Sequence, residues 1–144
     1  MSNIICFNSS APKEEWLTMS NQGTDCFLEL IIKAASDIAM TESQKDLINY
    51  LIERKDVNEI APGTVSFDID EMPWNPRSLH EDVSYMLGII EIAKDPDSWK
   101  QLDYSPNEQI IIPWLERFAE MIKKMDWQIV VFLTAVDFSA AVLL

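Results

Sequence analysis

The sequence predicts a mainly α protein, a single-domain helical bundle over residues 1–144 with at most a few short strands, near 64–70 and 128–133. Composition and periodicity lead there. A chain of 144 residues suits one domain and can bury a core without disulfide or metal staples. Hydrophobic residues make up 48%, the range of folding rather than disordered sequences. Three glycines are too few for the tight turns of a β-sandwich or barrel. Four long segments instead repeat apolar residues at spacings of three and four, the period of a half-buried helix.

Taken in order, Ile4-Ile5-Cys6-Phe7 is an apolar run, either an edge strand or a tucked-in terminus. Pro12 ahead of K-E-E-W-L starts a brief helix, and Asn21-Gln22-Gly23 breaks it. With Thr24 or Asp25 as cap, a helix runs to about Met40. Phe27, Leu30, Ile31, Ala34, Ala35 and Ile38 form its apolar face, widened by Cys26 and Ile32. Thr41-Glu42-Ser43-Gln44 is a capping box for a helix over about 42–55, with Leu47, Ile48, Leu51 and Ile52 as its stripe. Together the two make a helical hairpin.

Pro62-Gly63 marks a turn, and Thr64 to Asp70 alternates apolar and polar residues as a half-buried strand does. Met72-Pro73-Trp74-Asn75-Pro76 is extended or turning, because each proline biases its predecessor away from helix. Ser78-x-x-Glu81 reads as a second capping box, opening a helix to about Lys94 with Leu79, Val83, Met86, Leu87, Ile90 and Ala93 on one face. Ser105-Pro106-Asn107-Glu108 combines cap, first-turn proline and capping glutamate, and its helix extends to about Lys124. Pro113 is expected to kink or divide that helix. The last 18 residues are nearly all apolar. They read as a core helix or a core strand, with Gln128–Leu133 the strand-like part; Asp137 in mid-run argues against a membrane anchor.

Net charge is −13, from 24 acidic and 11 basic residues. Such a surface repels phosphate backbones and anionic membranes, so neither nucleic acid nor membrane is an expected partner. It favours steered encounter with a basic protein, or simply keeps the chain soluble. Cys6 and Cys26 form no C-x-x-C and are expected to be reduced and partly buried, and the first residues lack the pattern of a secretory signal, so the cytoplasm is the expected compartment.

The stretch Phe67 to Asp82 concentrates the chemistry: F-D-I-D-E-M-P-W-N-P-R-S-L-H-E-D. A strand ending in D-x-D is how haloacid-dehalogenase-type phosphatases present a nucleophile and a magnesium ligand. Here prolines follow where a glycine turn belongs, and no second acidic motif is evident. His80 is the only histidine, which excludes a multi-histidine metal centre. There is no Gly-rich phosphate loop and no H-E-x-x-H. Catalytic residues, metal ligands and cofactors are therefore not expected. Among the tryptophans, Trp114 and Trp127 read as core anchors. Trp74 is either a lid over the core or an aromatic hot spot ringed by carboxylates. The candidate partner-binding residues are Asp68, Asp70, Glu71, Trp74, Glu81 and Asp82.

The runs F-D-I-D-E-M-P-W, L-H-E-D-V-S-Y-M-L-G-I-I-E-I-A and W-K-Q-L-D-Y-S-P-N-E-Q-I-I-I-P-W-L-E-R-F, roughly Phe67 to Lys124, resemble small acidic bacterial immunity proteins encoded beside polymorphic or contact-dependent toxins. The resemblance implies a non-catalytic protein that binds a cognate toxin domain and blocks its active site. Many such toxins are nucleases with basic grooves, which a carboxylate-rich face would occupy. It implies no particular fold, since immunity families have many. The alternative is an acidic adaptor or a self-associating module, including a homodimer built on the apolar C-terminal segment; a D-x-D metal-dependent phosphatase is the enzyme alternative.

Overall fold

The computed structural model describes the backbone of residues 2–36 and 38–143, and side chains within those ranges as far as Asp126. Among the described residues, four helices accompany a small three-stranded sheet, the first and the last of them packed against it, so the chain is mainly α with a few short strands. Strand β1 (Ser2–Cys6) lies in the middle of that sheet. It pairs antiparallel with β2 (Leu17–Ser20) and parallel with β3 (Phe67–Asp68). The helices are α1 (Asn21–Ser36), α2 (Glu42–Ile60), α3 (Leu79–Ala93) and α4 (Glu108–Leu143).

Helix α1 is the centre of the bundle. It touches α2, α3, α4 and both long strands. Cys26, Phe27, Leu28, Leu30, Ile31, Ala34 and Ala35 are all buried, a wider face than a surface helix has. Phe27 meets Phe118 of α4 edge-on, with ring centroids 5.2 Å apart and planes at 86°. Leu47 and Leu51 of α2, Met86 and Ile90 of α3, and Leu115 and Ile122 of α4 close around it. Each large apolar side chain so buried contributes roughly 1.5–3 kcal/mol.

The sheet alternates as a half-buried sheet must. Asn3 and Ile5 of β1 and Leu17 and Met19 of β2 point into the core, while Ile4 is half-buried and Thr18 exposed on the outer face. The buried polar member of this set is satisfied on every side. Asn3 Nδ2 donates to Thr24 Oγ1 at 2.9 Å and Asn58 Oδ1 at 3.0 Å, and Asn3 Oδ1 accepts the Val65 N–H at 3.1 Å. One side chain thus ties β1 to α1, α2 and the approach to β3. Leaving these groups unpaired would cost about 1–3 kcal/mol each.

Several elements differ from expectation. Residues 13–15 make a single 3-10 turn, and Leu17–Ser20 join the sheet as β2. Asn21-Gln22-Gly23 does not end a helix but begins one, because Ser20 caps it: the Gly23 N–H donates to Ser20 Oγ at 3.0 Å. The capping box at Thr41 forms as read, but α2 runs on to Ile60, carrying Asn58 to the Asn3 cluster. The strand read over 64–70 shrinks to Phe67–Asp68. Beyond it Ile69–Glu71 coil into a 3-10 turn whose Asp70 N–H still reaches Phe7 O, at 3.0 Å.

Ser78 makes no side-chain cap for α3: it closes the 3-10 turn Pro76–Ser78 that leads into the helix, where Asn75 is the cap and accepts the Arg77 N–H at 3.0 Å, and the Ser78 hydroxyl donates to Asp82. Pro113 does not divide α4: the helix runs through it to Leu143, although proline has no N–H to donate to the Gln109 carbonyl four residues back. Residues 128–133, read as strand-like, lie within α4 and are helical. What their side chains and Trp127 pack against falls outside the described residues, as does the choice between core and anchor for that segment. Among the described residues, no helix is long and apolar enough to cross a membrane.

Candidate functional site

The carboxylates of the Phe67–Asp82 stretch divide into an exposed set and a buried one. Asp70, Glu71 and Glu81 are exposed and Asp68 is half-buried, whereas Asp82 has no accessible surface. Asp82 is therefore removed from the partner-contact residues. It accepts hydrogen bonds from Ser43 Oγ at 3.0 Å and Ser78 Oγ at 3.2 Å, joining the first turns of α2 and α3. Its helix position explains the burial: four residues from Ser78, it turns to the same side as Val83 and Met86.

Trp74 folds back over the core. It is half-buried against the apolar cluster, and its indole N–H donates to Ile69 O at 2.8 Å. Of the two readings open to it, the lid describes its position. His80 is exposed, and its Nδ1 lies 3.2 Å from Asp126 Oδ2 on α4.

Asp68 and Asp70 do not share one strand face, because the strand ends between them. Parallel pairing instead sets Asp68 beside Cys6 of β1. In register, the two side chains leave the sheet on the same side, and the Cys6 thiol donates to Asp68 Oδ1 at 3.0 Å. Burial pushes the Cys6 thiol up to about 12. The hydrogen bond to Asp68 adds to the shift, followed by the charges of Asp68, Asp70 and Glu71. A thiol so held stays protonated and is a poor nucleophile. Burial of the Asp70 carboxyl, then the charge of Asp68, holds it above the usual aspartate range, although the residue as a whole remains exposed.

The outer face of the sheet carries a cleft of ≈ 280 Å³ at this point, lined by Ile4, Cys6, Trp16, Ser66, Asp68 and Glu71. Ile4, Cys6, Trp16 and Ser66 escaped the sequence reading. The pairing of residues 62 apart brings Ile4 and Cys6 to Asp68, the β1–β2 pairing adds Trp16, and no local pattern marks either pairing.

Lys13 over the Trp16 ring and Arg117, whose Nη1 donates to Trp16 O at 3.0 Å, are the cations at the cleft, and among the described residues neither is ion-paired with its carboxylates. Lys45, Lys94, Lys100 and Lys123 each pair with the carboxylate three residues earlier on their own segments, and Lys33 with the one four earlier. Arg54 of α2 lies over the Tyr50 ring at 5.3 Å. Among the described residues, Asp68, Asp70, Glu71 and Glu81 take part in no ion pair. Among the same residues, no group of three or more His, Cys, Asp or Glu side chains is arranged to hold a metal ion. Comparisons of the chain with protein-family models, with curated proteins and with solved structures return no match.

Proposed function

We propose that this protein is a non-catalytic inhibitor that binds a basic protein domain, an immunity protein that neutralises a cognate toxin of nuclease type by covering its active site. The supporting observation is the carboxylate turn Asp68, Asp70 and Glu71, with Glu81 at the start of α3, left without cationic partners among the described residues of a chain of net charge −13. Carboxylates on rigid short elements, with no ion pair to break first, are available to a basic groove. There they would raise the association rate more than the final affinity. Two free cysteines agree with a reducing bacterial cytoplasm as the place of action.

A second reading has an observation of its own. Ile32, Met40, Ile48 and Ile52 line an apolar groove between α1 and α2, which suits an adaptor or a self-associating module. Capture of partners from the native cell's lysate on tagged protein, at low and moderate salt, separates the two. One basic protein in stoichiometric amount, lost as salt rises, is the expected result, and its activity should fall when this chain is added back. Recovery of the chain alone, indifferent to salt, would replace inhibition with self-association.

A further inference from the structure

We propose that the cleft on the outer face of the sheet is a receptor for one arginine side chain of the partner, an assignment that rests on reading the chain as a binder of a basic protein. The cleft has the three parts such a side chain requires. Its floor is apolar, from the outward-facing Ile4, and suits the three-carbon stem. Its wall includes Trp16, whose indole N–H is already used by Ala11 O at 2.9 Å, leaving the ring to act through its π face. Lys13 Nζ lies 5.9 Å from the centroid of that ring, at the outer limit of a cation–π contact, and is the same-chain cation that an incoming guanidinium displaces.

The rim supplies charge. Asp68 commits one oxygen to the Cys6 thiol, and among the described residues Asp68 Oδ2 and both Glu71 oxygens accept no hydrogen bond. The thiol hydrogen fixes the rotamer of Asp68, so its free oxygen is positioned before any partner arrives. Asp68 and Glu71 rim the β3 side of the cleft and Trp16 stands across β1 on the β2 side, so a guanidinium lying between them can stack on the ring and donate from its planar fork to the carboxylates. An ammonium offers one point charge and no plane to stack.

The test uses the intact chain, isotopically labelled, and three small probes: the N-acetyl amides of arginine, lysine and citrulline. Backbone amide shifts and the Trp16 indole N–H are followed by NMR during titration. The arginine probe should give saturable shifts on the order of millimolar Kd, confined to Ile4, Ser66, Asp68 and the Trp16 indole. The lysine probe should bind more weakly, and the neutral citrulline probe should leave those signals unmoved.

Glu71→Gln combined with Asp68→Asn should weaken the arginine probe about fivefold or more. Neither change removes a buried ion pair, and the amide oxygen introduced by Asp68→Asn can still accept from Cys6, so the variant is expected to fold. Glu108→Gln, away from the cleft, is the matched control and should leave the affinity unchanged. Equal response to all three probes, or shifts spread over every acidic segment, would overturn the assignment. Probe binding does not depend on any lysate partner, so failure here leaves the inhibitor reading standing, and failure to capture a basic protein leaves the cleft result standing.

Discussion

Gly23 in the first turn of α1 lies directly beneath Trp114 of α4: a Cβ built on the glycine would sit 2.6 Å from Cη2 of the indole and 2.9 Å from Ser20 Oγ. Helix propensity alone would favour alanine here, and the contact reverses that preference. Gly23→Ala should destabilise the protein by about 1–2 kcal/mol as the ring and the cap are pushed aside. Gly88, on α3 with nothing within 4 Å of its would-be Cβ, is the internal control; Gly88→Ala should stabilise by about 0.5–1 kcal/mol. Urea unfolding followed by tryptophan fluorescence measures both. A stabilising Gly23→Ala would mean that α1 and α4 do not approach this closely.

Asp82 should behave as a stability residue and Glu81 as a binding residue, although they are neighbours. Asp82→Ala strands the hydroxyls of Ser43 and Ser78 and should cost roughly 1–3 kcal/mol, with part of that recovered when Ser43→Ala is added. Glu81→Gln should leave the unfolding midpoint unchanged and weaken capture of a basic partner at low salt. A neutral Asp82→Ala would remove the serine bridge between α2 and α3.

The Cys6 thiol sets a prediction at alkaline pH. Its ordinary value of 9.0 is raised to about 12 by burial, with the hydrogen bond to Asp68 next. The folded state therefore holds this proton more tightly than the unfolded chain does. The stability it contributes is complete below 9.0 and is lost progressively as pH rises towards about 12. Cys6→Ser should flatten that decline. At about pH 8 the native thiol should resist alkylation and become labelled only on unfolding, as read by mass spectrometry. Rapid labelling of the native protein at Cys6 would contradict this.

Asp70 gives the opposite practical sign near neutrality. Its folded value lies above its ordinary 3.8, through burial and then the Asp68 charge, so the folded chain binds more protons than the unfolded chain just above that pH. Ionised Asp70 thus detracts from stability at neutral pH, and the penalty disappears on acidification below 3.8. Asp70→Asn should raise the thermal midpoint at about pH 7 and have no effect at about pH 3. A lower midpoint at neutral pH would mean that the carboxylate is favourably partnered.

The helices were legible because their causes are local. Thr41 and Gln44 cap each other through three residues of sequence, and the stripes of α1 and α3 repeat at the helical period. The sheet was not legible, because its causes are distant. Leu17-Thr18-Met19-Ser20 alternates correctly, yet four residues become a strand only when Ile4 and Ile5 are there to pair with them. Ser78 and Glu81 have the spacing of a capping box, but the coil begins earlier, at Pro76 with Asn75 as its cap, so Ser78 already lies inside the turn and its hydroxyl donates to Asp82. The same division runs through the site. The exposed carboxylates could be read from one acidic run, whereas the cleft beside them depends on Cys6 meeting Asp68, and the burial of Asp82 depends on Ser43 from another helix.

The position of β1 has a consequence for how the protein is made. The strand at the middle of the sheet is synthesised before both of its neighbours, and β3 follows it by about sixty residues. Until β3 emerges, the nascent chain carries an unpaired strand edge, and the Asn3 amide gains its Asn58 and Val65 partners only shortly before it. Closing a loop of that length is the slow part of folding such a topology, and exposed edges are where premature association begins. Deleting Ser2–Cys6 would therefore do more than shorten the chain; it would remove the strand to which both others attach.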